Sequence, residues 1–154
     1  KINHPFITTD KGENLRSNPI HIGGHPEWDY GHRMIGRLGD RQILFDTDQQ
    51  LVVGTLGSPE IFPDPEGDIA LSPNGQLFVN GHKDRKKKVN FYTIYRRKDG
   101  AHFRTRGFNI AHWQSGDLRQ DPSPCWNRTS DQILVPGVSK DSKTRQLFIL
   151  KLKQ

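Results

Sequence analysis

Short apolar runs broken by tight polar turns dominate this chain. Three segments can be laid over one another, each a short apolar stretch, a turn and a second apolar stretch. The first joins 25–28 to 33–36 through Asp29-Tyr30-Gly31-His32. The second joins 68–71 to 76–79 through Ser72-Pro73-Asn74-Gly75, where Pro presets φ and Gly accepts a positive φ. The third joins 123–126 to 131–135 through Asn127-Arg128-Thr129-Ser130. A third apolar strand follows in each unit, at 41–46, 91–96 and 146–151. Fourth strands follow the first two, at 51–56 and 101–104, the latter after Asp99-Gly100, a hairpin mark. No segment keeps a helical period over three turns, so almost no helix is expected.

Four antiparallel strands per unit is the arithmetic of propeller blades. The unit starts, His25, Asp68 and Ser123, are spaced by 43 and 55 residues. The expected fold class is therefore all-β, a partial β-propeller of about three four-stranded blades. Residues 1–19 read as the outer hairpin of a preceding blade, with strands at 6–10 and 14–16. Residues 20–60 and 61–116 form two blades, and 117–154 a final blade lacking its fourth strand. An open stack would expose apolar faces and unpaired edges. The remaining blades are thus expected from a part missing at the N-terminus or from another chain. The first residue is Lys1, not an initiator Met, which points the same way.

Composition narrows this picture. Hydrophobic residues make up 32% of the chain and the mean hydropathy is −0.79, lean for a compact core but suited to short strands and many turns. No apolar run approaches a membrane span, and no secretory signal stands at the start. Cys125 is the one cysteine, so no internal disulfide forms. Between Pro124 and Trp126 it reads as a small buried hydrophobe. The net charge of +6 favours anionic partners only weakly. The basic run Lys83, Arg85, Lys86, Lys87, Lys88 reads either as a solvated hairpin tip or as an attractor of an anionic polymer. It is too little for a nucleic-acid site. Asn127-Arg128-Thr129 matches a glycosylation sequon, and its place in a turn explains it equally well.

Candidate chemistry gathers near the blade openings. His21 and His25 frame Ile22-Gly23-Gly24 ahead of an inner strand. Two imidazoles there suit a borderline divalent ion, particularly beside a carboxylate. The alternative is polar channel-lining residues held by backbone hydrogen bonds. His25 and Asp68 occupy equivalent positions on adjacent blades and face one opening on this alignment. Glu27 and Glu66 lie nearby in sequence. His82, at the end of a second strand, either approaches the same rim or is a solvated loop histidine. Asp68, Glu27, Glu66 and His82 are thus candidate substrate-binding residues. His4, His32, His102 and His112 have no partner at a telling spacing. Ser115 and Ser123 lack a nucleophile-elbow context, so no catalytic triad is expected. Trp113 suits either a sugar ring or interblade packing.

The blade opening at 68–79 resembles TolB-like, PD40-type propeller repeats. Within that group, Glu66-Gly67-Asp68, the run Arg119-Gln120-Asp121-Pro122-Ser123-Pro124-Cys125-Trp126 and Arg145-Gln146-Leu147-Phe148 are similar to oligogalacturonate lyase-like propellers. The resemblance implies a seven-bladed ring that holds a divalent metal, usually manganese, with three histidines and a glutamine. It implies cleavage of unsaturated oligogalacturonides by β-elimination with an arginine base, and an intracellular setting, while export stays open. Part of that metal motif is Gln-x-x-His-x-His. His21 matches its first histidine, His25 follows four residues on rather than two, and Asn18 stands where Gln is expected. The remaining histidine and the arginine would lie upstream of Lys1, so no catalytic residue is assigned. Two functions follow: acting on or binding acidic oligosaccharides, or a non-catalytic scaffold for protein or glycan binding.

Overall fold

A computed structural model describes residues 6–153. Among them there is no helix, and none therefore long and apolar enough to cross a membrane. A two-stranded ribbon pairs β1 (Phe6–Ile7) with β2 (Arg16–Ser17). The first sheet runs in the order β3 (Gly23–Trp28), β4 (Arg33–Leu38), β5 (Arg41–Asp46), β6 (Leu51–Leu56). The second contains β7 (Ile69–Leu71), β8 (Leu77–Asp84), β9 (Val89–Arg96) and β10 (His102–Arg104), with β11 (Phe108–Asn109) also on β9. The third is β12 (Cys125–Trp126), β13 (Gln132–Val138), β14 (Arg145–Lys151). Every pairing is antiparallel, as expected of an up-and-down order joined by hairpins.

The strand alternation decides what packs on what. In the first sheet, Ile43 and Phe45 pack with Ile22 on one face, while Ile35 and Leu44 pack on the other with Ile69 and Phe78 of the second sheet. In the second, Phe78 and Tyr95 face the first sheet, and Val79, Tyr92 and Ile94 face Ile133 and Val135 of the third. Phe62, in the connection between the first two sheets, meets Phe78 and Tyr95 edge-on at 5.5 Å each. The middle sheet is thus apolar on both sides. Phe78, Val79 and Tyr92 are completely buried.

Polar tethers cross the same junctions. Asp29 lies in the turn after β3, and its side chain is fully buried. It receives both terminal guanidinium nitrogens of Arg97, at 2.7 and 3.0 Å. Arg97 also donates to the Gly75 carbonyl, so one side chain joins two turns. Between the second and third sheets, the Tyr92 hydroxyl donates to the Pro122 carbonyl at 2.8 Å, and Trp126 Nε1 donates to the Ala70 carbonyl at 3.1 Å.

Four details depart from the sequence expectation. β8 and β9 run several residues beyond the predicted strands, to Asp84 and back from Val89, so the basic segment caps a long hairpin. The ribbon strands are shorter than expected, because the Gly12 N–H bonds the Thr9 carbonyl and closes the turn early. β11 has no sequence signal, since two residues carry too little pattern. Cys125 is exposed rather than buried. It alternates with Trp126, which turns to the second sheet, so Cys125 takes the face of the third sheet that no described sheet covers. Leu147 and Ile149 are exposed as well. The expected hairpin at residues 1–19 is described only from Phe6, and His4 lies outside the described residues.

Removing one partner of a buried ion pair strands the other. Asp29→Ala is therefore expected to destabilise the fold by about 3 kcal/mol or more, and a midpoint shift in urea denaturation with unchanged slope checks this.

Candidate site where the inner strands begin

The three sheets meet where their innermost strands start. Gly24 has φ +73° and sits in a register shift of β3, with a Cβ position only 3.3 Å from the Pro65 carbonyl. A Cβ on Gly67 would collide with the Gly81 carbonyl. These close approaches bring the 65–68 segment against both neighbours.

Asp68 is the hub. Its Oδ1 lies 3.2 Å from His25 Nε2 of the first sheet. Its Oδ2 accepts from the Ser123 backbone N–H at 2.8 Å and from the Ser123 hydroxyl at 3.1 Å, ahead of the third sheet. The carboxylate thus spans all three sheets. Its side chain is 16% exposed, against 70% for His25. The order is histidine, aspartate, serine with the aspartate in the middle. The aspartate, rather than the imidazole, takes the serine hydroxyl, so this is not the relay that activates a nucleophile.

A cleft of about 280 Å³ opens at this junction. Its walls include His25, Asp64, Glu66, Asp68, Lys83, Arg85, Arg119 and Asp121. Most of these charges are matched in pairs. Lys83 Nζ and Arg119 Nε reach Asp121 at 2.9 and 2.7 Å, and Arg37 reaches Glu66 at 3.6 Å. Burial alone would raise the Asp121 carboxyl, but Lys83 and Arg119 outweigh it and hold it below the usual carboxylate range.

Of the residues expected at the site, His25, Glu66 and Asp68 do meet in this cleft, whereas His21, Glu27 and His82 do not line it. Glu27 sits half-buried farther along β3. Burial raises its pKa, and a hydrogen bond from the Leu71 backbone partly offsets the rise. His82 belongs to β8 rather than to a loop, and its ring stacks on Phe91 at 5.3 Å. Burial lowers its pKa, Arg104 adds to the effect, and Nδ1 is enclosed without a hydrogen-bond partner. His21 is exposed in the segment before β3. In the sequence Lys83 and Arg85 stand out only as part of the basic run, and Arg119 and Asp121 only within the 119–126 run, not as lining of this opening. Their convergence depends on the length of the β8–β9 hairpin and on the fold of the 110–122 segment, and no local spacing reports either.

The donors present do not fit a complete metal site. Among the described residues, no group of three or more His, Cys, Asp and Glu side chains is placed to hold a metal ion. His25 and Asp68 supply two donors, and their contact directs them at each other.

Similarity to known proteins extends to the fold. No protein-family model and no curated protein matches the chain. Two solved structures are similar to it. One is TolB from Acinetobacter baumannii, with TM-score 0.56 and 12% identity over 94% of this chain and 34% of that one. The other is the β-propeller domain of the Trilobed protease from Pyrococcus furiosus, described as having an open velcro topology. It aligns with TM-score 0.51 and 14% identity over 85% of this chain and 40% of that one. The fold is a partial β-propeller. Its blades are the three sheets, and the cleft at Asp68 lies where their inner strands begin. The chain spans less than half the length of either matched chain.

Two outcomes follow from this geometry. Asp68→Ala removes the acceptor of two Ser123 hydrogen bonds and is expected to cost about 1–3 kcal/mol in urea denaturation, whereas His25→Ala, at an exposed and screened contact, costs little. For His82 the folded pKa lies below the unfolded one, so the unfolded chain binds more protons as the pH drops. Its contribution is therefore complete above the unfolded pKa and declines as the pH falls below it. Replacing His82 with Gln is expected to flatten the loss of stability between about pH 7 and pH 5, measured as denaturation midpoints across that range.

Proposed function

We propose that this chain serves as a propeller scaffold that binds a protein or a glycan through its rim, without chemistry of its own. The observation that carries this reading is the state of the polar groups at the cleft. Asp68 is held by His25 and Ser123, and Asp121 by Lys83 and Arg119. Groups paired in this way hold blades together and present a fixed polar surface. A β-elimination needs a base free to take the proton next to a carboxylate, and a cation or donor to stabilise the charge that develops. Here His25, Lys83 and Arg119 each already engage a carboxylate, and Arg85 rests on the Gln114 carbonyl. The carboxylates Asp64, Glu66, Asp68 and Asp121 also offset the attraction of these cations for an acidic substrate.

The competing reading is an oligogalacturonate lyase with manganese at His21 and His25. It rests on the motif resemblance. Incubation with polygalacturonate digests and Mn²⁺ is expected to give no rise in the ultraviolet absorbance of unsaturated product. Equilibrium dialysis against Mn²⁺ is expected to show no stoichiometric retention. A rise in absorbance, or retention abolished by His25→Ala, would replace the scaffold reading with the lyase.

A further inference from the structure

The β8–β9 hairpin stands out from its blade. β8 leaves its pairing with β7 at Asn80, opposite Ile69, and continues to Asp84. The Gly81 N–H bonds the Asp68 carbonyl, so the residues after it lie beyond the start of the inner strand. The hairpin therefore rises over the cleft, with Lys83 and Arg85 on its wall and Arg85, Lys86, Lys87 and Lys88 at its tip.

This projection is held in place. Lys83 bonds Asp121, the Arg85 guanidinium donates to the Gln114 carbonyl at 3.4 Å, and Asn90 Nδ2 donates to the Gln120 carbonyl at 3.3 Å. At the far side the Ile110 N–H donates to the Lys88 carbonyl, and β11 pairs with Val89 and Asn90. A hairpin anchored on both flanks keeps its charges clustered with little freedom to lose on binding.

The tip is cationic with little internal neutralisation. Asp84 is its one carboxylate; it accepts the Lys87 N–H at 3.0 Å and lies 3.4 Å from Lys87 Nζ, so it shapes the turn. Lys86 and Lys88 are exposed and make no ion pair among the described residues. Phe91, the aromatic at the base, already carries the His82 ring, with Lys87 Nζ 5.9 Å from its centroid. It offers no open platform for stacking a base, as single-stranded nucleic acid requires. The tip residues 85–88 include no apolar side chain to enter a bilayer.

We infer that the β8–β9 hairpin is a docking finger for an acidic polypeptide segment of a partner protein. This rests on the rim-binding reading and adds the partner's chemistry: several carboxylates along an extended or flexible chain. Exposed cations contribute through charge complementarity, which gives binding a marked salt dependence.

The test measures fluorescence anisotropy of a labelled Asp/Glu-rich peptide with the full chain at low and physiological salt. Lys86→Ala/Lys88→Ala is compared with Lys98→Ala/Arg128→Ala, which removes the same charge from exposed positions in other turns. The finger variant is expected to bind roughly three- to tenfold more weakly, the control to bind as the unaltered chain, and both to keep the same thermal midpoint. Equal weakening in both variants overturns the finger, because net charge alone then explains the binding. Tighter binding of a single-stranded oligonucleotide of equal charge, lost in the finger variant, overturns the choice of a polypeptide. Failure of the acidic peptide to bind, while other proteins or glycans still bind the rim, overturns this inference and leaves the scaffold reading standing. If no protein or glycan binds at all, both fall.

Discussion

A sheet that is apolar on both faces has to be covered on both, and the stacking of this chain follows from that constraint. Phe78 and Val79 are consecutive residues of one strand, both fully buried, one packed toward the first blade and the other toward the third. At roughly 25 cal/mol per Å² of apolar surface, covering such side chains is the main force that stacks the blades. The lean composition is consistent with this. Few apolar residues are needed when each strand contributes to two interfaces.

Hydrophobic stacking is not directional, and the polar tethers supply the alignment. Arg97 clasps Asp29 at one end of the first junction, and Asp68 joins His25 and Ser123 at the other. Two of these partners lie near the start of the inner strand of their own units, His25 within β3 and Ser123 two residues ahead of β12. The hydrogen bonds therefore tie equivalent points of successive blades, and the cleft arises where they converge. The same groups that shape the cleft pair with one another across it.

Much of the candidate site is legible as single residues and little of it as a constellation. Aligning the repeats places His25 and Asp68 at matching positions, and they do touch. Glu66 follows from its position beside Asp68. Glu27 misleads because its place farther along β3 carries it away from the opening and into contact with the Leu71 backbone. His82 lies near the rim in sequence, but its ring turns onto Phe91 across the hairpin. Arg119 and Asp121 reach the cleft from a segment without regular secondary structure, where no periodicity guides a reading.

The all-β class, the antiparallel order and nearly all the strands can be read from the amino-acid order, because a period of two and turns such as Ser72-Pro73-Asn74-Gly75 are local signals. The same signals mark the basic run as a hairpin tip. They are silent on three points that the packed chain settles. The hairpin overshoots its blade, Cys125 takes an uncovered face, and Lys83 and Arg119 share Asp121. The pairing of Lys83 with Asp121 joins segments 38 residues apart, the exposure of Cys125 depends on which face of its sheet is covered, and the overshoot depends on where β7 begins beside β8, none of which a local pattern reports.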